Sequence, residues 1–395
     1  MTDASDPGAV SLSWLRGKPG AKWARPGPDV LAAWVADMDF APAPAIRDRL
    51  QAVIDSGDLG YPNWEPLGCS PLRELLVERM ARRHDWQIGA GEVRELCDVM
   101  QGVQAALHAH TAPGDGVVLH TPAYPPFLAG FAHMGRRIVE VPAQRTGAGW
   151  SFDHGALAAT LRRDPGVRTI LLCNPHNPTG HVFTDAELSE LAELAERHDL
   201  LIVSDEIHGE LVYPPHRHRP IAALGDDVAR RTVTVTSASK AFNLAGLRWA
   251  AMHVGHRPTL EALDRLPPHL LGAPNVMAVA ATMAAWTDGD PWLAGILGLL
   301  DRNRRHLVER LTAEVPGLDV AAPDATYLAW LDCRALALPD EPYVVVRRAG
   351  VELSPGRAFG VTGAGFVRLN FATSPEVLDA VIDRVAGALA GTGDH

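Results

Sequence analysis

Three short apolar runs each deliver a different functional group. RTILLC (168–173) is followed by Asn174 in NPHNPTG, LLIVSD (200–205) ends on Asp205, and TVTVTS (232–237) leads through Ser237 to Lys240. Runs this continuously apolar predict strands of a parallel sheet covered on both faces. Ligands of open α/β sheets bind beyond the carboxyl ends of the strands. An amide, a carboxylate and an amine are therefore expected at one edge. An amine there can form a Schiff base and later take a proton from carbon. A carboxylate can keep a ring nitrogen protonated, and an amide can donate to a ring oxygen. Those are the requirements of pyridoxal phosphate, with Lys240, Asp205 and Asn174 as the respective groups.

The phosphate of such a cofactor needs a seat. MQGVQAALHA (100–109) supplies a candidate, with Gly102 opening a helix whose free N–H groups face an anion. Ser237 and Arg248 bracket Lys240 and add a hydroxyl and a bidentate cation. Each feature alone has an ordinary structural reading. A lysine in SASK is usually solvated, an Asp after an apolar run is usually a cap or turn residue, and NPHNPTG is built of turn formers. The argument for chemistry is their joint placement at strand ends.

These residues also carry a family resemblance. CNPHNPTG (173–180), SDEIHGEL (204–211) and SASKAFNLAGLR (237–248) resemble the aspartate-aminotransferase fold type of pyridoxal-phosphate enzymes (fold type I, class I/II aminotransferase-like), from about residue 30 to 375. WVADMDF (34–40), the histidine of DEIH and GVELSPGRAFG (350–360) resemble one branch of it, the cystathionine β-lyase/C–S lyase group that includes the MalY and PatB proteins. The resemblance implies Lys240 as Schiff-base lysine and general base, Asp205 on the pyridine nitrogen and Asn174 on the ring oxygen. Tyr124 would stack on the ring, and Gly102, Val103, Ser237 and Arg248 would hold the phosphate. His208 would bond the cofactor oxygen indirectly or only line the pocket. Arg368 in FVRLNF would clamp the substrate α-carboxylate, with the backbone of Val35 and Ala36 closing over it. Tyr61 would reach the phosphate of a neighbouring subunit, implying a homodimer with shared sites. Two departures stand out: VQAAL after Gly102 lacks the expected hydroxyl donor, and Pro62 follows Tyr61 in a crowded entry loop.

The same resemblance implies a C–S β-lyase that cleaves cystathionine-like cysteine S-conjugates to a thiol, pyruvate and ammonia. Alternatives are an aminotransferase of the same fold, a specialised biosynthetic enzyme acting on one S-conjugated cysteine, and a regulatory protein that keeps the fold and binds a partner. Lys240 and Asp205 serve lyase and aminotransferase alike and do not separate them.

The elements that must position these groups are legible between about 90 and 255. Candidate strands ELCDVM (95–100), GVVLH (116–120), RIVEV (137–141) and RWAAMHV (248–254) join the three above, alternating with helical stretches. Thr184 with Glu187 marks the start of a helix over 184–199. Alternation of this kind implies an α/β layered domain. A helix over 301–315 then precedes strands at 326–332 and 365–372. The organisation expected is an N-terminal arm with part of a small domain (1–45), a large cofactor-binding α/β domain (46–284) and a small C-terminal α+β domain (285–395).

Composition narrows the setting. A net charge of −11 and a pI near 5.8 argue against a nucleic-acid or anionic-membrane partner. The longest apolar run, Val276–Trp286, is too short to span a bilayer. The start MTDASDPGAV has no basic or apolar leader pattern. Cys69, Cys97, Cys173 and Cys333 are scattered with no CxxC, which suits reduced thiols in a cytoplasm. His208, His216 and His218 invite a metal reading, but no further ligand completes a set, so none is expected.

Overall fold

The computed structural model describes residues 8–64, 69–146, 149–267 and 269–391. Residues 1–7 of the expected arm and 392–395 of the expected C-terminal domain lie outside it. At its centre is an eight-stranded sheet: β1 (Val93–Leu96), β2 (Gly116–Thr121), β3 (Arg137–Thr146), β4 (Gly149–Phe152), β5 (Val167–Cys173), β6 (Leu201–Asp205), β7 (Thr232–Thr236) and β8 (Ala250–Val254). The spatial order is β1-β8-β7-β6-β5-β2-β3-β4. The five inner neighbours from β7 to β3 run parallel, and β8, β1 and β4 are antiparallel additions at the two edges.

Side-chain alternation along each strand builds two cores. Val117, Leu119, Leu171, Val203 and Val233 point to one face, where Val103, Ala106 and Leu107 of helix α1 (Val99–His110) cover them. Val118, Ile170, Leu172 and Ile202 point to the other, under Leu188, Leu191 and Leu194 of α2 (Asp185–Arg197). With both faces covered, the strands read as uninterrupted apolar runs rather than alternating ones. Helix α2 starts as its sequence predicts: Thr184 Oγ1 accepts from Glu187 N at 3.2 Å, and Thr184 N donates to the Glu187 carboxylate at 2.8 Å.

Several boundaries differ from the sequence reading; β3, expected to end at residue 141, runs on to Thr146. The strand expected over 95–100 ends at Leu96, because Asp98 caps a helix that already begins at Val99. Val99 and Met100 are thus a first helical turn, and Gly102 sits in the second. Helix α3 runs over Asp290–Glu314, starting eleven residues before the stretch expected at 301–315. Gly295 and Gly298 disguise that extension, which Leu293, Ile296, Leu299 and Leu300 sustain by burial.

The C-terminal body carries a three-stranded antiparallel sheet, β9 (Leu328–Asp332), β10 (Ser354–Pro355) and β11 (Phe366–Asn370), in the order β9-β11-β10. The segment after residue 30 returns to it. Leu31–Ala32 pairs in parallel with Val351–Glu352, and Asn370 N donates to Ala33 O at 2.9 Å. Residues 34–40 are thereby stretched across the carboxyl edge of the large sheet. No helix among the described residues is long and apolar enough to cross a membrane.

Gly102 lets α1 approach the sheet. A Cβ there would lie 2.7 Å from Leu96 Cδ1 and 2.7 Å from Val235 Cγ1. Gly102→Ala should lower the unfolding free energy of the cofactor-free protein by about 1–3 kcal/mol through overpacking. Urea denaturation checks this, and an unchanged midpoint would contradict the close approach.

Candidate active site

Register places the reactive groups. Cys173 lies opposite Asp205, and Asp205 opposite Val235, so β5, β6 and β7 end level with one another. Beyond those ends opens a cleft of about 340 Å³ whose wall includes Tyr124, Asn177, Asp205, His208, Lys240 and Arg248. Ala36 closes it from the crossing segment.

Lys240 Nζ donates to Ala36 O at 2.6 Å and lies 3.8 Å from Asp37 Oδ1. Burial lowers its pKa; Asp37 partly offsets this, and the charge on Arg368 adds to the lowering. Asp205 is 5% exposed, and one oxygen accepts from Ile207 N at 3.0 Å. Burial raises its carboxyl to about 7, against the Ile207 hydrogen bond. His208 is held neutral, its pKa pushed down to about 3 by burial and the nearby charges of Lys240 and Arg368. Tyr124 lines the cleft beside Phe127, and burial raises its phenol pKa.

Arg368 projects from β11 into the same region. Its guanidinium donates to Asn177 Oδ1 (2.9 Å), Trp34 O (3.0 Å) and Ser354 Oγ (3.2 Å), while buried Nε has no partner among the described residues. All those partners are neutral, and burial lowers its pKa to about 10. A buried cation contacted only by neutral acceptors is the complement of an anion. The backbone of Trp34, Val35 and Ala36 lies beside it, tied down by Arg368 itself, by Asn370 (Nδ2 to Val35 O, 2.6 Å) and by Tyr327 (hydroxyl to Ala36 O, 2.8 Å).

Several residues expected at the site are elsewhere. Asn174 is fully buried, with Oδ1 accepting from Phe183 N at 3.2 Å; its amide braces the loop. Asn177, the second asparagine of NPHNPTG, lines the cleft instead. Gly102 N donates to Asp98 O at 3.3 Å, so it is spent inside the helix, and Val103 is buried against the sheet. The first-turn N–H groups belong to Val99 and Met100, which do line the cleft and have no hydrogen-bond partner among the described residues. Ser237 Oγ donates to Trp249 O at 2.6 Å and accepts from Ser239 N, so it shapes the turn, and Ser239 is the serine on the wall. Arg248 is on the wall as expected, paired with Asp98. Tyr61 is fully exposed and outside the cleft of its own chain. Asn177 was within reach of the sequence, since both asparagines precede proline. Asp98 had a signal too: DVMQ is an N-cap with glutamine three residues on.

The donor set fits pyridoxal phosphate. The chain has three lysines, Lys18, Lys22 and Lys240, and of these Lys240 is on the cleft wall. Asp205 is a buried acid without a cation in contact among the described residues, as a protonated ring nitrogen requires. Val99, Met100 and Arg248 together offer N–H groups and a guanidinium to a phosphate. No group of three or more metal-ligating side chains occurs among the described residues.

Comparison with known proteins agrees. The family model for aminotransferase class I and II matches residues 35–385. Cystathionine β-lyase PatB of Bacillus subtilis is 34% identical over 382 residues, 95% of this chain and 97% of that one. A cystathionine β-lyase of Corynebacterium glutamicum is 31% identical over 382 residues, covering 96% and 99%. The pyridoxal-phosphate-bound C–S lyase of Staphylococcus hominis superposes with a TM-score of 0.88 at 25% identity, covering 97% and 98%. Fold, site and relatives converge: the chain belongs to the class I and II aminotransferase family of pyridoxal-phosphate enzymes, in its cystathionine β-lyase and C–S lyase branch.

Proposed function

We propose that this chain is a C–S β-lyase that cleaves cystathionine-like cysteine S-conjugates to a thiol, pyruvate and ammonia. The observation that carries an amino-acid substrate is Arg368, a buried guanidinium with only neutral partners, set beside the Lys240 amine across one cleft. The choice of β-elimination rests on the branch to which the chain belongs.

When bound, pyridoxal phosphate supplies an electrophilic carbonyl and a ring that accepts negative charge from the substrate Cα. The chain's residues do the rest. Arg368 receives the α-carboxylate and, with the Trp34–Ala36 backbone, fixes which substituent of Cα faces Lys240. Burial lowers the Lys240 amine from its ordinary range, which favours its role as the base that takes the Cα proton. Asp205 would face the ring nitrogen, where a buried carboxylate would keep that nitrogen protonated. Tyr124, its phenol pKa raised further by burial, lies where it can stack on the ring, and Asn177 can donate to the ring oxygen.

Exposed Tyr61, with Leu59 and Ile54 also exposed nearby in sequence, supports a homodimer in which Tyr61 reaches the phosphate of the other subunit. Four free cysteines support action in a cytoplasm, and the net charge of −11 supports a role without nucleic acid.

The function is tested by mixing the cofactor-loaded protein with a panel of S-substituted L-cysteines, adding no keto acid, and following pyruvate. Many pyruvates per site are expected. At most one keto-acid equivalent, with the cofactor left as its amine, would make the protein an aminotransferase. No product from any conjugate would leave a narrow biosynthetic substrate as the reading. Separately, Arg368→Ala should raise KM for the amino acid by about 10–100-fold while cofactor uptake is retained; an unchanged KM would place the carboxylate clamp elsewhere.

A further inference from the structure

Asp98 puts a negative charge where the cofactor's phosphate has to sit. It is the N-cap of α1, and one carboxylate oxygen accepts from Gln101 N at 2.8 Å. The other oxygen is paired with the Arg248 guanidinium, for which no second hydrogen-bond partner is found among the described residues. Asp98, Val99, Met100, Ser239 and Arg248 line one wall of the cleft together. Opposite charge at a helix N-terminus is stabilising, and a carboxylate there already uses part of that field. The one guanidinium on this wall is also already neutralised.

From this arrangement we propose that Asp98 acts as a built-in competitor of the cofactor phosphate. It holds Arg248 and the α1 N-terminus in place in the cofactor-free protein, and weakens phosphate binding through like-charge repulsion once the cofactor enters. This rests on the cofactor site proposed above and adds to it the residue that sets how readily the cofactor leaves. With a carboxylate and a guanidinium side by side, the wall offers the phosphate no net charge, only the Val99 and Met100 N–H groups and an Arg248 that must be shared. Close charges across a partly exposed wall interact strongly enough to move a binding constant by an order of magnitude.

Asp98→Asn separates the charge from the cap, because asparagine caps a helix as well as aspartate does. The experiment titrates the cofactor-free wild type and Asp98→Asn with pyridoxal phosphate, and in parallel with pyridoxal, which lacks the phosphate, following the lysine-linked absorption band. The expected result is a Kd for pyridoxal phosphate about tenfold or more lower in the variant, with the pyridoxal Kd unchanged and the thermal midpoint of the cofactor-free protein retained. Unchanged or weaker pyridoxal phosphate binding by the variant would overturn the proposal. An equal tightening of both ligands would overturn it as well, since the effect would then not act on the phosphate. Failure of the wild type itself to form the band would instead overturn the cofactor site, so the two failures are distinguishable.

Discussion

Asp205 and Arg368 are both withdrawn from water with no opposite charge in contact among the described residues, one at the end of β6 and the other on β11. Leaving ionisable groups in that condition is costly unless a ligand supplies the missing charge. The cost is visible in each group: Asp205 is pushed up to about 7 and Arg368 down to about 10, with burial the largest cause in both. A cofactor with a cationic ring nitrogen and a substrate with a carboxylate relieve both at once. Folding energy from the two sheet cores thus maintains a site complementary to what it must bind.

The geometry that allows this comes from two sheets on either side of residues 34–40. Level ends of β5, β6 and β7 present Asp205 and the turn to Lys240 along one edge. The antiparallel sheet of the C-terminal body presents Arg368, Asn370 and Ser354 from the other side. The intervening strip accepts hydrogen bonds from both: Ala36 O from Lys240 and Tyr327, Val35 O from Asn370, Trp34 O from Arg368. Its carbonyls are satisfied from both sides, so the strip spans the cleft without regular structure of its own.

Much of this was legible in the sequence, for physical reasons that also explain the exceptions. Doubly covered parallel strands write themselves as apolar runs, so β5, β6 and β7 and the polar residues at their ends could be read directly. Lys240, Asp205, Tyr124, Arg248 and Ala36 do share one cleft, with Arg368 beside it. What went astray was register within loops. NPHNPTG contains two asparagines three residues apart, and only the fold decides that Asn174 braces the loop while Asn177 faces the cleft. ELCDVM is β-rich enough to hide the cap at Asp98, so the free first-turn N–H groups belong to Val99 and Met100, while Gly102 N is bonded inside the helix. A hydroxyl next to Lys240 reads as a phosphate donor, and the fold gives the Ser237 hydroxyl a partner in Trp249 O. Long-range facts, such as the return of Leu31–Ala32 to Val351–Glu352, leave no local pattern to read.

The central claim is that Lys240 carries the cofactor, and the composition makes it easy to test. The protein contains just three lysines, of which Lys18 and Lys22 are anchored on the carbonyls of Asp39 and Asp37 in the N-terminal region. Loading the protein with pyridoxal phosphate, reducing it with borohydride, digesting it and mapping the modified peptide by mass spectrometry locates the linkage. The expected result is a stoichiometric phosphopyridoxyl group on Lys240. A label on Lys18 or Lys22, or no label after loading, would contradict the account.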